Sequence, residues 1–152
     1  MKEHQYEIVV RWTGNLGEGT SSYRSYSRDH VLEVAGKKRL FCSSDPMFRG
    51  DRSKHNPEEL FIYALSSCHM LWYLHFCADQ GIEVVEYQDQ PLGMMVLGGA
   101  KERFKEVILK PRIVLKNLEQ IELAKSLHEQ AHEHCFIANS VNCEIRIEPE
   151  IT

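Results

Sequence analysis

The chain has no CxxC pair, no glycine-rich phosphate loop, no apolar run approaching the ~20 residues of a spanning helix, and no basic cluster beyond Lys37-Lys38-Arg39. Each absence removes a class of function. With a formal net charge of -4, nothing draws the protein to a phosphate backbone, and nucleic-acid binding is disfavoured. The start, Met1-Lys2-Glu3-His4-Gln5-Tyr6, lacks the apolar stretch of a secretory signal, so neither membrane nor export is expected and the cytoplasm is the predicted location. Five cysteines (Cys42, Cys68, Cys77, Cys135 and Cys143) make an odd set, which argues against a structural disulfide framework. Each is then either a small buried apolar residue or a working thiol.

A length of 152 residues with 43% hydrophobic and 26% charged residues fits a single packed domain spanning 1–152. Alternation of Tyr6, Ile8, Val10 and Trp12 predicts a half-buried strand over 4–12, and shorter strands are expected over 22–27, 31–34 and 39–42 in a small antiparallel sheet. Residues 43–55 read as a loop. Asn56-Pro57-Glu58-Glu59 is a helix start: Asn caps, Pro sits where no amide bond is lost, and Glu59 can close a capping box. The helix runs toward Gly81 and is apolar around most of its circumference, which predicts burial at the centre of the molecule or at an interface. Strands follow over 82–87, 93–97 and 104–115, with Pro111 favouring an edge or a bulge. An amphipathic helix over 119–134 and a strand over 143–148 complete an α+β order.

Cys68 lies mid-helix beside Ser66 and Ser67, where a small molecule can approach, but a thiol in purely apolar surroundings is inert, so reactivity requires a nearby cation. Arg24, Arg28, Arg49 and Arg52 are the candidates, each equally able to be a solvated surface residue. Glu58 precedes Cys68 by ten residues, about 15 Å along a helix and about 80° around it. The two cannot touch within one helix, so a shared site needs a second copy of the chain or a broken helix; otherwise Glu58 simply favours the helix dipole. His128-Glu129-Gln130-Ala131-His132 matches HExxH, the zinc-hydrolase pattern, yet no third histidine follows, and solvated helix histidines are the plainer reading. His132 and Cys135 could also belong to a structural metal site. An apolar face around Met70, Leu71 and Phe76 suits a small-molecule or lipid-binding module instead.

Several of these pieces together resemble the OsmC/Ohr family. Asn56-Pro57-Glu58-Glu59-Leu60-Phe61 followed by Ala64-Leu65-Ser66-Ser67-Cys68-His69 is similar to its first cysteine helix, and Ala131-His132-Glu133-His134-Cys135 with Ala138-Asn139-Ser140 to its second cysteine segment. Trp12-Thr13-Gly14 and Tyr26-Ser27-Arg28-Asp29-His30 look like the OsmC-like branch. The resemblance implies antiparallel sheets around a long central helix in an intertwined homodimer. It also implies a peroxidase for organic hydroperoxides with no cofactor and no metal. Cys68 becomes a sulfenic acid, Cys135 resolves it into a disulfide, and an external dithiol, of the lipoyl type in the hydroperoxide-resistance branch, reduces the bond. Glu58 takes the place of the glutamate that orients an arginine, which keeps Cys68, the deeper thiol, ionised. Arg49 is the preferred arginine, with Arg24 and Arg28 in reserve. Phe136 departs from the family's pattern, in which a proline commonly follows the second cysteine.

Overall fold

The computed structural model describes residues 1–152, which divide into two compact units, Met1–Leu60 and Phe61–Thr152. In the first unit, β1 (Val9–Trp12), β2 (His30–Glu33) and β3 (Leu40–Cys42) form the expected antiparallel sheet in the order β1-β2-β3. Two expectations fail here. Residues 1–8 are not strand and β1 is exposed at all four positions, so the alternation over 4–12 has no buried side to serve. Residues 22–27 are turn rather than strand. Their backbone bonds locally, from Ser25 N to Ser22 O at 3.2 Å, and Tyr26 makes only a bridge to Asn15.

The loop after β3 carries a 3-10 turn, Pro46–Phe48, whose N-terminal amide at Met47 donates to Asp45 Oδ1 at 2.7 Å. Arg49 closes that turn in the left-handed region, φ 65°. Gly50 follows with no room for a side chain: a Cβ there would lie 1.6 Å from the Ser44 carbonyl oxygen. The capping box forms as expected, Glu59 N donating to Asn56 Oδ1 at 2.8 Å and Asn56 N to Glu59 Oε2 at 3.2 Å. It opens α1 (Pro57–Asp79), which ends ahead of Gly81 at φ 68°.

In the second unit the sheets are mixed rather than purely antiparallel. One has the order β4-β7-β9, with β4 (Val84–Asp89) antiparallel and β9 (Glu150–Ile151) parallel to β7 (Pro111–Leu115). The other runs β5-β6-β8, with β5 (Leu92–Val96) antiparallel and β8 (Glu144–Ile147) parallel to β6 (Arg103–Leu109). The single strand expected over 104–115 is therefore two strands in two sheets, broken at Lys110. Pro111 begins the second, where a strand tolerates a residue without an N–H. The Lys110 amide at the break donates to Asp89 Oδ1 at 2.7 Å, and the other oxygen of Asp89 accepts from Ser66 Oγ at 2.6 Å, tying α1 to this corner.

Tyr73, Phe76 and Cys77 of α1 pack with Ile113 and Leu115 of β7 and with Ala124, Leu127 and Ala131 of α2 (Ile121–His134). Leu65 packs with Val107 and Leu109 of β6 in a second cluster. The absence of a spanning-length apolar run does not hold for α1. The polar residues Ser66, Ser67, His69 and His75 interrupt it, yet by length and mean hydropathy it is apolar enough to cross a membrane, a test that the core helix of a globular fold also passes. Only part of its circumference is buried in the single chain, and Leu71 stays 60% exposed.

Candidate thiol site

Cys68, Leu71, Trp72 and His75 stand at i, i+3, i+4 and i+7, one stripe along α1. Cys135 is the residue at which α2 ends, its backbone already extended, and Phe136 follows it. The stripe and Phe136 line an apolar pocket of about 370 Å³. Cys68 is half-buried and faces this space, whereas Cys135 is 1% exposed. The depth order is thus the reverse of that expected, because Cys135 is tucked under the turn over 135–138, where Ala138 N donates to its Sγ at 3.4 Å.

The two thiols, 67 residues apart in sequence, are neighbours in space. Burial, then the adjoining Cys68 thiol, push Cys135 up to about 11. At neutral pH Cys135 is consequently a thiol rather than a thiolate. Cys42 and Cys77 are buried elsewhere, and loss of hydration pushes both upward, which suits inert core residues. Cys143 is half-buried at the edge of the second cluster.

Glu58 and Arg49 are not on this stripe. Glu58 is in the first turn of α1, and its Oε2 is buried with no hydrogen-bond partner. Because α1 is continuous from Pro57 to Asp79, the separation of about 15 Å along one helix stands. Arg49 is exposed at the end of the 3-10 turn. Arg28 is occupied: its guanidinium lies 4.3 Å and 4.0 Å from the Tyr23 and Tyr26 ring centroids and donates to both their carbonyls at 2.7 Å. Arg24 is exposed, and Arg52 lines a separate polar pocket with Lys54 and Asp45.

A second polar feature escaped sequence reasoning. His69, next to Cys68 but turned by one residue, is 1% exposed, and its Nε2 shares a 2.9 Å hydrogen bond with Nδ1 of His128, 4% exposed. The His128 ring lies flat on Tyr73 at 3.9 Å. Burial first, then the charge of His132, push His69 down to about 4; burial, then His69, push His128 down to about 3. Both are neutral imidazoles at pH 7, each with its second ring nitrogen buried and unpartnered. His128 is therefore a core residue and not a solvated one. Its bond to His69 also changes the HExxH reading, since the chain brings no group of three His, Cys, Asp or Glu together to hold a metal. The available signal was the apolar face Ala124, Leu127, Ala131, beside which His128 falls.

The family model for OsmC-like proteins matches residues 50–150, the span that carries both thiols and Glu58. An OsmC-like protein of unknown function from Vibrio cholerae O1 biovar eltor is 33% identical, with a TM-score of 0.86 over 98% of this chain and 99% of that one. The organic hydroperoxide resistance protein OhrB of Bacillus subtilis shares the fold at 17% identity, with a TM-score of 0.62 over 98% of each chain. An uncharacterized protein of the same species (strain 168), YmaD, is 22% identical over 99% of this chain and 97% of its own length. Two cysteine segments, the capped helix and the matched span agree: the chain belongs to the OsmC-like family.

Proposed function

We infer that this protein is a thiol peroxidase that reduces organic hydroperoxides to alcohols, with Cys68 as nucleophile and Cys135 as resolving thiol. The observation that carries the reading is the meeting of two sequence-distant thiols, one of them lining an apolar pocket. Cys68 sulfur, as thiolate, attacks a peroxide oxygen; the S–O bond forms as the O–O bond breaks, and the alkoxide leaves and is protonated to the alcohol. Two electrons pass from sulfur to peroxide, leaving a sulfenic acid. Cys135 then attacks that sulfur, the S–S bond forms, and hydroxide leaves with the Cys135 proton as water. A thiol held at about 11 does not compete for peroxide and gives up its proton only in this second step. An external dithiol, lipoyl-type by family analogy, becomes a disulfide as it restores both cysteines.

The cation beside Cys68 comes, in this reading, from a second copy in a cytoplasmic homodimer of single-domain chains. The unbroken α1 keeps a copy's own Glu58 far along the helix, and the unpartnered Glu58 Oε2 supports a role in holding a guanidinium, with Arg49 preferred over Arg24. Arg28 is already stacked and bonded. Relatives named for organic hydroperoxide resistance support the reading at the level of the fold.

Purified protein is expected to consume cumene or tert-butyl hydroperoxide in the presence of a dithiol. Full turnover by a Cys68→Ser variant would contradict the assignment. The same apolar pocket favours a second reading, a small-molecule or lipid-binding module, which intact mass separates: a chain left fully reduced by mild peroxide supports binding alone.

A further inference from the structure

The pocket over Cys68 has a shape as well as an apolar character. Phe136 stands edge-on to the Trp72 indole at 5.5 Å and 86°, and His75 stands edge-on to it at 5.7 Å and 77°. Phe76 stacks on the same indole at 5.5 Å and 26°, and His134 leans on it at 5.4 Å, so Trp72 is held from several sides. Phe136 is different. It is 68% exposed at the mouth of the pocket.

We propose that Trp72 and Phe136 form an aromatic slot that selects ring-bearing hydroperoxides at Cys68, with Phe136 as the specificity-determining residue. The proposal rests on the peroxidase reading. A flat ring set into the angle where these two perpendicular, touching rings meet lies face-on to one and edge-on to the other, both favoured by the ring quadrupoles. A tert-butyl group or an alkyl chain gains only dispersion there. The lining points the same way: Leu71, Trp72 and Phe136 make the surface beside Cys68 almost wholly apolar, which suits a ring close to the thiol. Charge does as well. His75 Nε2 sits 3.5 Å from Asp79 Oδ2, so the end of the stripe away from Cys68 offers no unopposed cation to a fatty-acid carboxylate.

The electrons and atoms follow the peroxidase step, with cumene hydroperoxide giving 2-phenyl-2-propanol. That unreactive alcohol, compared with tert-butanol, probes the slot without any chemistry. Calorimetric titration of the reduced protein is expected to show the aryl alcohol binding at least about tenfold more tightly, with a matching preference in kcat/KM for cumene over tert-butyl hydroperoxide. Phe136→Ala and Phe136→Leu should both reduce the two ratios to about twofold; Phe136 is 68% exposed in the single chain, and size exclusion beside the wild type separates loss of the slot from loss of the homodimer. Ratios unchanged in both variants overturn the slot, and a Leu variant that keeps the wild-type ratios overturns its aromatic character. If neither peroxide is consumed while the alcohol ratio still follows Phe136, the peroxidase reading falls and the ring-binding slot stands. If both peroxides are consumed with no dependence on Phe136, the slot falls and the peroxidase stands.

Discussion

Helices α1 and α2 meet through two pairs of side chains that differ in almost every physical respect. At one, Cys68 lines an open apolar pocket and neighbours Cys135. At the other, one residue further along α1, His69 and His128 share a hydrogen bond inside the core. A step of about 100° around the helix separates a group that can meet a small molecule from one sealed away from water. The lesson concerns face rather than residue type. Histidine is ordinarily the titrating, reactive side chain, yet here burial keeps both imidazoles neutral, and the open position is given to sulfur.

The sharpest way to break this contrast is to remove the thiols one at a time. Cys135→Ser should allow one oxidation per chain and then stall, lowering steady-state turnover by about a hundredfold or more while a single-turnover burst survives. Stopped-flow measurement with limiting peroxide separates the two phases; a Cys135→Ser enzyme that recycles at the wild-type rate would dissolve the distinction between nucleophile and resolving thiol.

Next in size is the histidine pair. His69→Ala leaves a buried ring with no partner and a void, and should cost about 2–4 kcal/mol in urea unfolding. The double replacement His69→Leu with His128→Leu removes both polar groups and should recover much of that loss. A double variant no better than the single one would mean that the bond is not the reason the pair is kept.

Acid acts on the histidine pair. Both histidines have folded-state values below the ordinary 6.5, so between pH 6.5 and about 4 the unfolded chain binds protons that the native chain refuses. Stability should therefore fall as pH falls through that window, by up to about 1.4 kcal/mol per pH unit for each histidine. The double leucine variant should show a correspondingly flatter profile in thermal unfolding. The smallest expected effect lies at the start of α1, where Asn56→Ala should cost about 1 kcal/mol by loss of the cap, without changing the chemistry of Cys68.

Local pattern made much of this legible. Asn56-Pro57-Glu58-Glu59 encodes its own cap, and Leu127 and Ala131 at four-residue spacing fix the inner face of α2, because both signals act within one turn of helix. The histidine pair was not legible: its partners are 59 residues apart, and His128 falls within a literal metal-site pattern that diverts attention from its burial. The break at Lys110 was hidden for a related reason. Alternation continues through Pro111 even though the chain there changes sheets. The slot of Trp72 and Phe136 depends on the turn after α2 bringing a ring back over α1, which no spacing along the chain reveals.

A Cys68–Cys135 pairing is checked by mapping the disulfide formed with one equivalent of cumene hydroperoxide, followed by alkylation under denaturing conditions and digestion. It predicts one cross-linked product joining Cys68 to Cys135, with Cys42 and Cys77 alkylated. Cys68 recovered fully alkylated, or joined to a different cysteine while Cys135 stays free, would contradict it.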